Sequence, residues 1–202
     1  VSWTAPVDDG GSAVTGYTAT ASPGGATCTT PSTSCVVTGL TNGTAYTFTV
    51  VATNAAGDSS ASTASSPLTP YTVSGVPASV SGVAGNAQAT VSWTAPVDDG
   101  GSAVTGYTAT ASPGGATCTT PSTSCVVTGL TNGTVYTFTV IATNAAGDSN
   151  ASSASSSVTP YTVPGIPTSV SGSAGDAQVS VSWTAPVDDG GSAVTGYTAT
   201  AS

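Results

Sequence analysis

Apolar and polar residues alternate along several short stretches of the chain. Residues 88–94 place Ala89, Val91 and Trp93 on one face, with Ser and Thr on the other. A period of two is typical of a β-strand with one buried face. Trp93, with Trp3 and Trp183 at the same position of the repeat described below, would be the largest core side chain. Two further stretches alternate in the same way, and their predicted inward residues are Tyr107, Ala109, Ala111, Tyr136, Phe138, Val140 and Ala142.

This pattern predicts an all-β fold. Gly, Pro, Asn and Asp clusters separate the stretches every 8 to 12 residues, which is typical of an antiparallel β-sandwich. No stretch shows helical spacing. In the central part of the chain we predict seven strands, at residues 76–81, 88–94, 104–111, 116–119, 124–128, 135–143 and 151–159. The last of these is rich in Ser, and we expect it to form an edge of a sheet.

The chain is a tandem array. The 22 residues that begin at Val1 recur without change at Val91 and at Val181, so the period is 90 residues. This is the length of an independent domain, and too long for a solenoid repeat. We predict a first domain at 1–72 that lacks its first strand, a complete domain at 73–162 and the start of a third at 163–202. The expected origin is a longer array; the alternative is that neighbouring chains complete each other's partial domains.

Several motifs of the repeat resemble the fibronectin type III family, in the form found in bacterial extracellular proteins. They are Trp93, the stretch PVDDGGSAVTGY, the spacing from Leu130 to Tyr136 in LTNGTVY, the stretch YTFTVIATNAAG and the closing Thr159–Pro160. The resemblance implies immunoglobulin-like, seven-stranded antiparallel β-sandwiches. It also implies a tyrosine corner, in which a Leu and a Tyr lie together and the phenol bonds to nearby backbone. The residues at those positions are Leu40, Tyr46, Leu130 and Tyr136. The integrin-binding Arg-Gly-Asp of the family is absent, because the chain has no Arg.

Composition excludes several kinds of partner. The chain has no Lys, Arg, His or Met, and nine Asp give it a net charge of −9. No side chain of the chain can neutralise a phosphate group, so nucleic acid and anionic membrane surfaces are implausible partners. No apolar run approaches the ~18 residues that a membrane span needs, so we expect no membrane insertion in this segment.

Each full repeat carries two cysteines. Cys28 and Cys35, like Cys118 and Cys125, are seven positions apart and flank TTPSTS. A hairpin would place such positions opposite each other, within reach of a disulfide. Free buried thiols are the alternative; zinc is a weaker one, because it wants four ligands. A disulfide would imply an oxidising, extracellular location.

The residue types argue against an enzyme and give no cofactor site. General acid–base catalysis relies on His, Glu, Asp or Lys, and only Asp is present. Asp98 and Asp99 sit in DDGG, where Asp and Gly form turns by themselves. One metal hypothesis stays open: Asp98, Asp99 and Asp148 lie in loops at one end of the expected sandwich and would offer oxygens to Ca²⁺. Three sequences, at Asn42, Asn132 and Asn150, match the N-glycosylation pattern. We interpret them as turns in preference to glycosylation sites.

We therefore expect a structural protein, an extracellular rod, stalk or fibre of stacked domains. Its partners would be neighbouring repeats or chains of the same protein. One alternative is an adhesin that presents loops to a carbohydrate or surface protein; its only spare aromatics are Tyr71 and Tyr161, which we expect to pack between domains. The other alternative is a spacer in a secreted polysaccharide-degrading enzyme.

Overall fold

All regular elements in the described part of the chain, residues 1–201 of a computed structural model, are β-strands. They are β1 (Gly16–Ser22), β2 (Thr27–Thr30), β3 (Thr47–Asn54), β4 (Gly57–Asp58), β5 (Ala78–Gly85), β6 (Gln88–Thr94), β7 (Gly106–Ser112), β8 (Thr117–Thr120), β9 (Ser124–Thr128), β10 (Thr137–Asn144), β11 (Gly147–Asp148), β12 (Thr168–Gly175) and β13 (Gln178–Thr184). The all-β prediction is therefore confirmed. Within these residues, no helix is both long enough and apolar enough to cross a membrane.

The described residues form two compact units. The first consists of Val1–Val73, Asp98–Ala103 and Ala145–Gly147, and the second of the remaining residues. In the first unit, β1 lies between β2 and β3 in one antiparallel sheet with the order β2-β1-β3-β4. In the second, β12 and β13 form a separate antiparallel hairpin.

The central repeat shows the complete set of strands. One sheet has the order β5-β6-β9, and the other has the order β11-β10-β7-β8. The pairs β5–β6, β6–β9, β7–β8 and β7–β10 are antiparallel. Such two-layered packing follows from the alternation in the sequence, because each sheet has one apolar face that must be covered.

The core of the central repeat lies on the faces that the alternation predicted. Phe138 pairs with Ala111 across β10 and β7, and Val140 pairs with Ala109. These four side chains are at most 1% exposed. The other buried apolar residues of this core are Ala89, Val91, Trp93, Tyr107, Val127, Leu130, Tyr136, Ala142 and Val158. Removing a large side chain from such a core typically costs about 3–5 kcal/mol.

The prediction of a last strand at 151–159 is wrong. The segment is not a β-strand, and only Val158 forms a β-bridge, with Tyr136. The chain from Ser149 onward instead pairs with β10 through three serines spaced three residues apart, namely Ser149, Ser152 and Ser155. We call these the serine ladder. Each serine N–H donates to a β10 carbonyl, and each hydroxyl accepts from the N–H of the same β10 residue at 2.9–3.0 Å.

The ladder has a simple geometric consequence. Its partners on β10 are Ala142, Val140 and Phe138, which are two residues apart. Two strand residues span about 6.7 Å, so three ladder residues cover that distance and the segment is less extended than a strand. Each serine hydroxyl also donates to the carbonyl of the next residue at 2.8–2.9 Å. Side chains thus replace the backbone acceptors that an edge strand would supply.

Candidate functional site

The cysteines form one disulfide in each full repeat. Cys28 is bonded to Cys35 and Cys118 to Cys125, with Cα–Cα distances of 6.3 Å and 6.2 Å. No cysteine in the described residues is free. All four sulfurs are therefore held in covalent bonds, so none of them can serve as a thiolate ligand or nucleophile.

The arrangement of these disulfides differs from the hairpin that the spacing indicated. Cys118 lies on β8, at the edge of one sheet, and Cys125 lies on β9, at the edge of the other. The chain crosses between the two layers in residues 121–123. The disulfide therefore links the two sheets of the sandwich at their edges and does not join two strands that are paired within one sheet.

The residues expected to form a tyrosine corner lie close together in both repeats. The N–H of Thr131 donates to the phenol oxygen of Tyr136 at 3.0 Å, and Leu130 is only 4% exposed. In the first repeat, the N–H of Thr41 donates to Tyr46 at the same distance. This bond is the main cause that lowers the pKa of Tyr46 below its ordinary value, because it stabilises the charged phenolate.

The three tryptophans lie at equivalent positions beside a tyrosine. Trp93 is 6% exposed, and its ring lies 5.5 Å from that of Tyr107 with an interplanar angle of 58°. Trp3 and Tyr17 repeat the arrangement at 5.5 Å, and the third pair is Trp183 and Tyr197 at 5.3 Å. The tilted geometry is the favourable one for two aromatic rings. Trp93 and Tyr107 therefore fill the core of the central repeat, as predicted. Trp183 and Tyr197 remain 37% and 43% exposed, so the prediction that Trp183 is a core side chain is wrong in this structure.

The acidic residues are engaged in local turns. Asp98 and Asp99 each accept a hydrogen bond at 2.8 Å, from the N–H groups of Gly100 and Gly101. Asp148 accepts one at 2.6 Å from the hydroxyl of Thr143. Residues 1–201 contain no group of three His, Cys, Asp or Glu side chains that could hold a metal ion. The calcium hypothesis therefore gains no support from the arrangement of the acids.

The sequon residue Asn132 is occupied by hydrogen bonds. Its side-chain oxygen accepts from the N–H of Ala87 at 2.8 Å, and its amide nitrogen donates to Asn86 at 2.9 Å. A side chain bonded at both ends fixes its loop, which agrees with the interpretation of this sequon as a turn.

The first unit contains an open groove of about 500 Å³. Trp3, Tyr17 and Val50 are among the residues that line it. The equivalents of Tyr17 and Val50 in the central repeat, Tyr107 and Val140, are buried in the core there. In the central repeat, Val80 packs against the core that contains Tyr107 and Val140, and Pro77, close to Val80 in the chain, is fully buried. The groove therefore belongs to the interior of the sandwich and is not a separate ligand pocket.

The linker tyrosines do not pack as expected. Tyr71 and Tyr161 each remain 53% exposed. The expectation that these tyrosines are packed between domains is therefore wrong, because about half of each side chain is exposed. The backbone around them makes the closer contacts, as described below.

Two antiparallel layers, a buried Trp93 and a Tyr136 phenol that accepts a backbone hydrogen bond are the features by which the family can be recognised. Residues 1–69 and 75–159 match the sequence model of the fibronectin type III domain family. The chain belongs to the fibronectin type III family. The matched regions include the Trp, Leu and Tyr positions described above in both full repeats.

Two of the proteins that this fibronectin type III array resembles are an exoglucanase and a chitinase by name. It is 37% identical to Exoglucanase B of Cellulomonas fimi over 98% of the chain, which corresponds to 19% of that protein. It is 39% identical to Chitinase A1 of Niallia circulans over 78% of the chain and 23% of that protein. The chain thus spans less than a quarter of the length of either relative.

A solved structure shows the same fold. Domains A168–A170 of titin match with a TM-score of 0.51 at 22% identity, over 71% of this chain and 53% of the titin chain. At that identity the match speaks for the fold alone. It agrees with the two-layered antiparallel sandwich of the fibronectin type III repeat.

Proposed function

We propose that the chain is a non-catalytic structural array, a spacer of fibronectin type III domains within a longer extracellular protein. The observation that carries this proposal is the near-identity of the 90-residue repeats, which add length without adding different side chains. The disulfides support an oxidising location outside the cell.

The scarcity of residue types that act in acid–base catalysis supports the same proposal. Asp is the only charged residue in the chain, and the carboxylates of the Asp-Asp-Gly-Gly loops bond to neighbouring N–H groups. A general acid or base must be within reach of a substrate proton and have a suitable pKa. Relatives named Exoglucanase B and Chitinase A1 match over only 19% and 23% of their length, so their catalytic parts need not lie in the matched region.

A spacer between catalytic and binding parts of a polysaccharide-degrading protein fits these relatives. A fibre of many copies fits the repeat equally well, and it is the second candidate because neighbouring copies are nearly identical. An adhesin is less favoured, since the exposed aromatic residues of the two full repeats are the linker residues Tyr71 and Tyr161.

The test uses the purified chain and the native protein in parallel. Antibodies against the chain should detect a much longer polypeptide in the culture medium or at the cell surface. The chain alone should neither hydrolyse nor co-sediment with cellulose and chitin, whereas the native protein should if it is such an enzyme. Electron micrographs that show regular filaments would favour the fibre. Hydrolysis by the chain itself, or an intracellular location, would overturn the proposal.

A further inference from the structure

Backbone hydrogen bonds fix the linker that follows the central repeat. Within the second unit, the N–H of Thr162 donates to the carbonyl oxygen of Gly190 at 2.8 Å. The N–H of Gly165 donates to the carbonyl oxygen of Asp188, also at 2.8 Å. Two such bonds attach the linker to the Asp-Asp-Gly-Gly loop at 188–191. The linker is therefore a docked segment and not a loose tether.

The glycines of this loop lie where a larger residue would not fit. A Cβ atom on Gly190 would lie 2.7 Å from the carbonyl oxygen of Val163, and one on Gly191 would lie 2.8 Å from the carbonyl carbon of Asn132. Both glycines also have positive φ, at +73° and +85°. The loop backbone thus touches the linker on one side and the Asn-Gly turn at 131–134 on the other.

The Asn-Gly turn completes the contact. The N–H of Gly133 donates to the carbonyl oxygen of Pro160 at 2.9 Å, which holds the beginning of the linker against the turn. A Cβ atom on Gly133 would lie 3.2 Å from the Cα of Gly191. Three segments therefore meet backbone to backbone. We call this arrangement the linker joint: the Asn-Gly turn, the linker and the Asp-Asp-Gly-Gly loop.

The acidic residues preform the loop. Asp188 and Asp189 accept hydrogen bonds at 2.8 Å from the N–H groups of Gly190 and Gly191. The same bonds occur at Asp8 and Asp9, where nothing lies within 4 Å of a Cβ placed on Gly11. The loop therefore has the same internal hydrogen bonds in each copy, and such preformed geometry lowers the entropic cost of docking.

The same joint recurs within the first unit. The N–H of Thr72 donates to the carbonyl oxygen of Gly100 at 2.8 Å, and the N–H of Gly43 donates to that of Pro70 at 2.9 Å. A Cβ atom on Gly101 would lie 2.8 Å from the Cα of Gly43. Gly100 is buried, as is Gly190, the equivalent residue of the next loop. The joint is thus a recurring feature of the repeat.

We infer that the Asp-Asp-Gly-Gly loop is a docking surface for another copy of the same repeat, which it recognises through the Asn-Gly turn and the Pro-Tyr-Thr-Val linker. The loop occurs unchanged at 8–11, 98–101 and 188–191, and its partner segments at 41–44 and 70–73 recur at 131–134 and 160–163. Any copy can therefore follow any other. The inference goes beyond the proposed function, because it holds for a spacer and for a fibre alike.

Amide hydrogen exchange of the full chain, followed by nuclear magnetic resonance, tests this inference directly. The amides of Thr72 and Thr162 should exchange at least about tenfold more slowly than in an unstructured peptide, because each is bonded within a joint. Gly191→Ala should bring Thr162 to within about twofold of the peptide rate, since the added methyl group separates the loop from the turn. Thr72 should stay protected in this variant.

Gly11→Ala is the matched control. Gly11 has φ of +78°, close to the +85° of Gly191, but its Cβ would meet no neighbour within 4 Å. This variant imposes the same backbone strain and should leave both Thr72 and Thr162 protected. Exchange of Thr162 at the peptide rate in the unsubstituted chain would overturn the inference. Full protection of Thr162 in Gly191→Ala would overturn it as well. Neither result would bear on where the native protein is located or on whether it is catalytic.

Discussion

A serine of the ladder does the hydrogen bonding that a β-strand residue does with its backbone alone. Ser152 donates its N–H to the carbonyl oxygen of Val140 and accepts the N–H of Val140 on its hydroxyl, both at 2.9 Å. One residue thus satisfies both backbone groups of its partner, which lies in the buried core. An unsatisfied buried N–H would cost about 1–3 kcal/mol.

Ser152→Ala should therefore destabilise the central repeat by about 1–3 kcal/mol, because the N–H of Val140 loses its acceptor. Denaturant unfolding gives the free energy, and faster exchange of the Val140 amide would locate the effect. Ser153→Ala is the control: Ser153 is exposed, and its substitution should change stability by less than about 0.5 kcal/mol. Equal effects of the two substitutions would show that the hydroxyl of Ser152 contributes no special bond.

At the scale of elements, the two sheets of the sandwich are linked covalently where each one ends. β8 and β9 are edge strands of different sheets, and the Cys118–Cys125 disulfide joins them. Edge strands carry fewer neighbours than central strands and open more readily. The disulfide therefore stabilises the part of the sandwich where pairing alone is weakest.

Replacing all four cysteines by Ser should lower the free energy of unfolding by roughly 2–3 kcal/mol per repeat, the chain-entropy value for so short a loop. Thermal unfolding with and without a thiol reductant measures this effect. The reductant should lower the melting temperature of the unsubstituted chain and leave that of the Ser variant unchanged. If the unsubstituted and substituted chains unfold alike, the disulfides do not stabilise the sandwich.

At the scale of the whole molecule, the charge is uniformly negative. The nine Asp residues are the only charged side chains, and most of them fall in the Asp-Asp-Gly-Gly loops. There each carboxylate bonds to an N–H group two residues further on, at 2.8–2.9 Å. Within each loop, the carboxylates stabilise the turn by accepting these hydrogen bonds. Over the whole chain, the negative charge disfavours binding to nucleic acid.

We accordingly expect no stabilisation by calcium. A cation present at a hundred times the Kd of its site would add about 2.7 kcal/mol to the free energy of unfolding. The melting temperature should be the same in millimolar Ca²⁺ and in a chelator. Mg²⁺ at equal ionic strength controls for general screening of the nine carboxylates. A shift with Ca²⁺ that Mg²⁺ does not reproduce would revive the calcium hypothesis.

The sequence by itself determined the repeat and the core. An identical stretch every 90 residues shows a tandem array, and alternation at 88–94 and 135–143 predicts which side chains are buried. These features depend on local periodicity, which a strand with one buried face imposes directly. The bounds of β6 and β9 were also predicted correctly, because Gly, Asn, Pro and Ser residues mark their ends.

Only the tertiary structure decided the features that depend on distant partners. The serines at 149, 152 and 155 show a period of three in the sequence, but their meaning depends on β10 lying alongside. Likewise, the disulfide between Cys118 and Cys125 is recognised as a link between two sheets only when both sheets are formed. In the linker joint, Gly190 and Gly191 look like ordinary turn residues in sequence. Their second role, leaving room for another backbone, exists only once the repeat is packed against its neighbour.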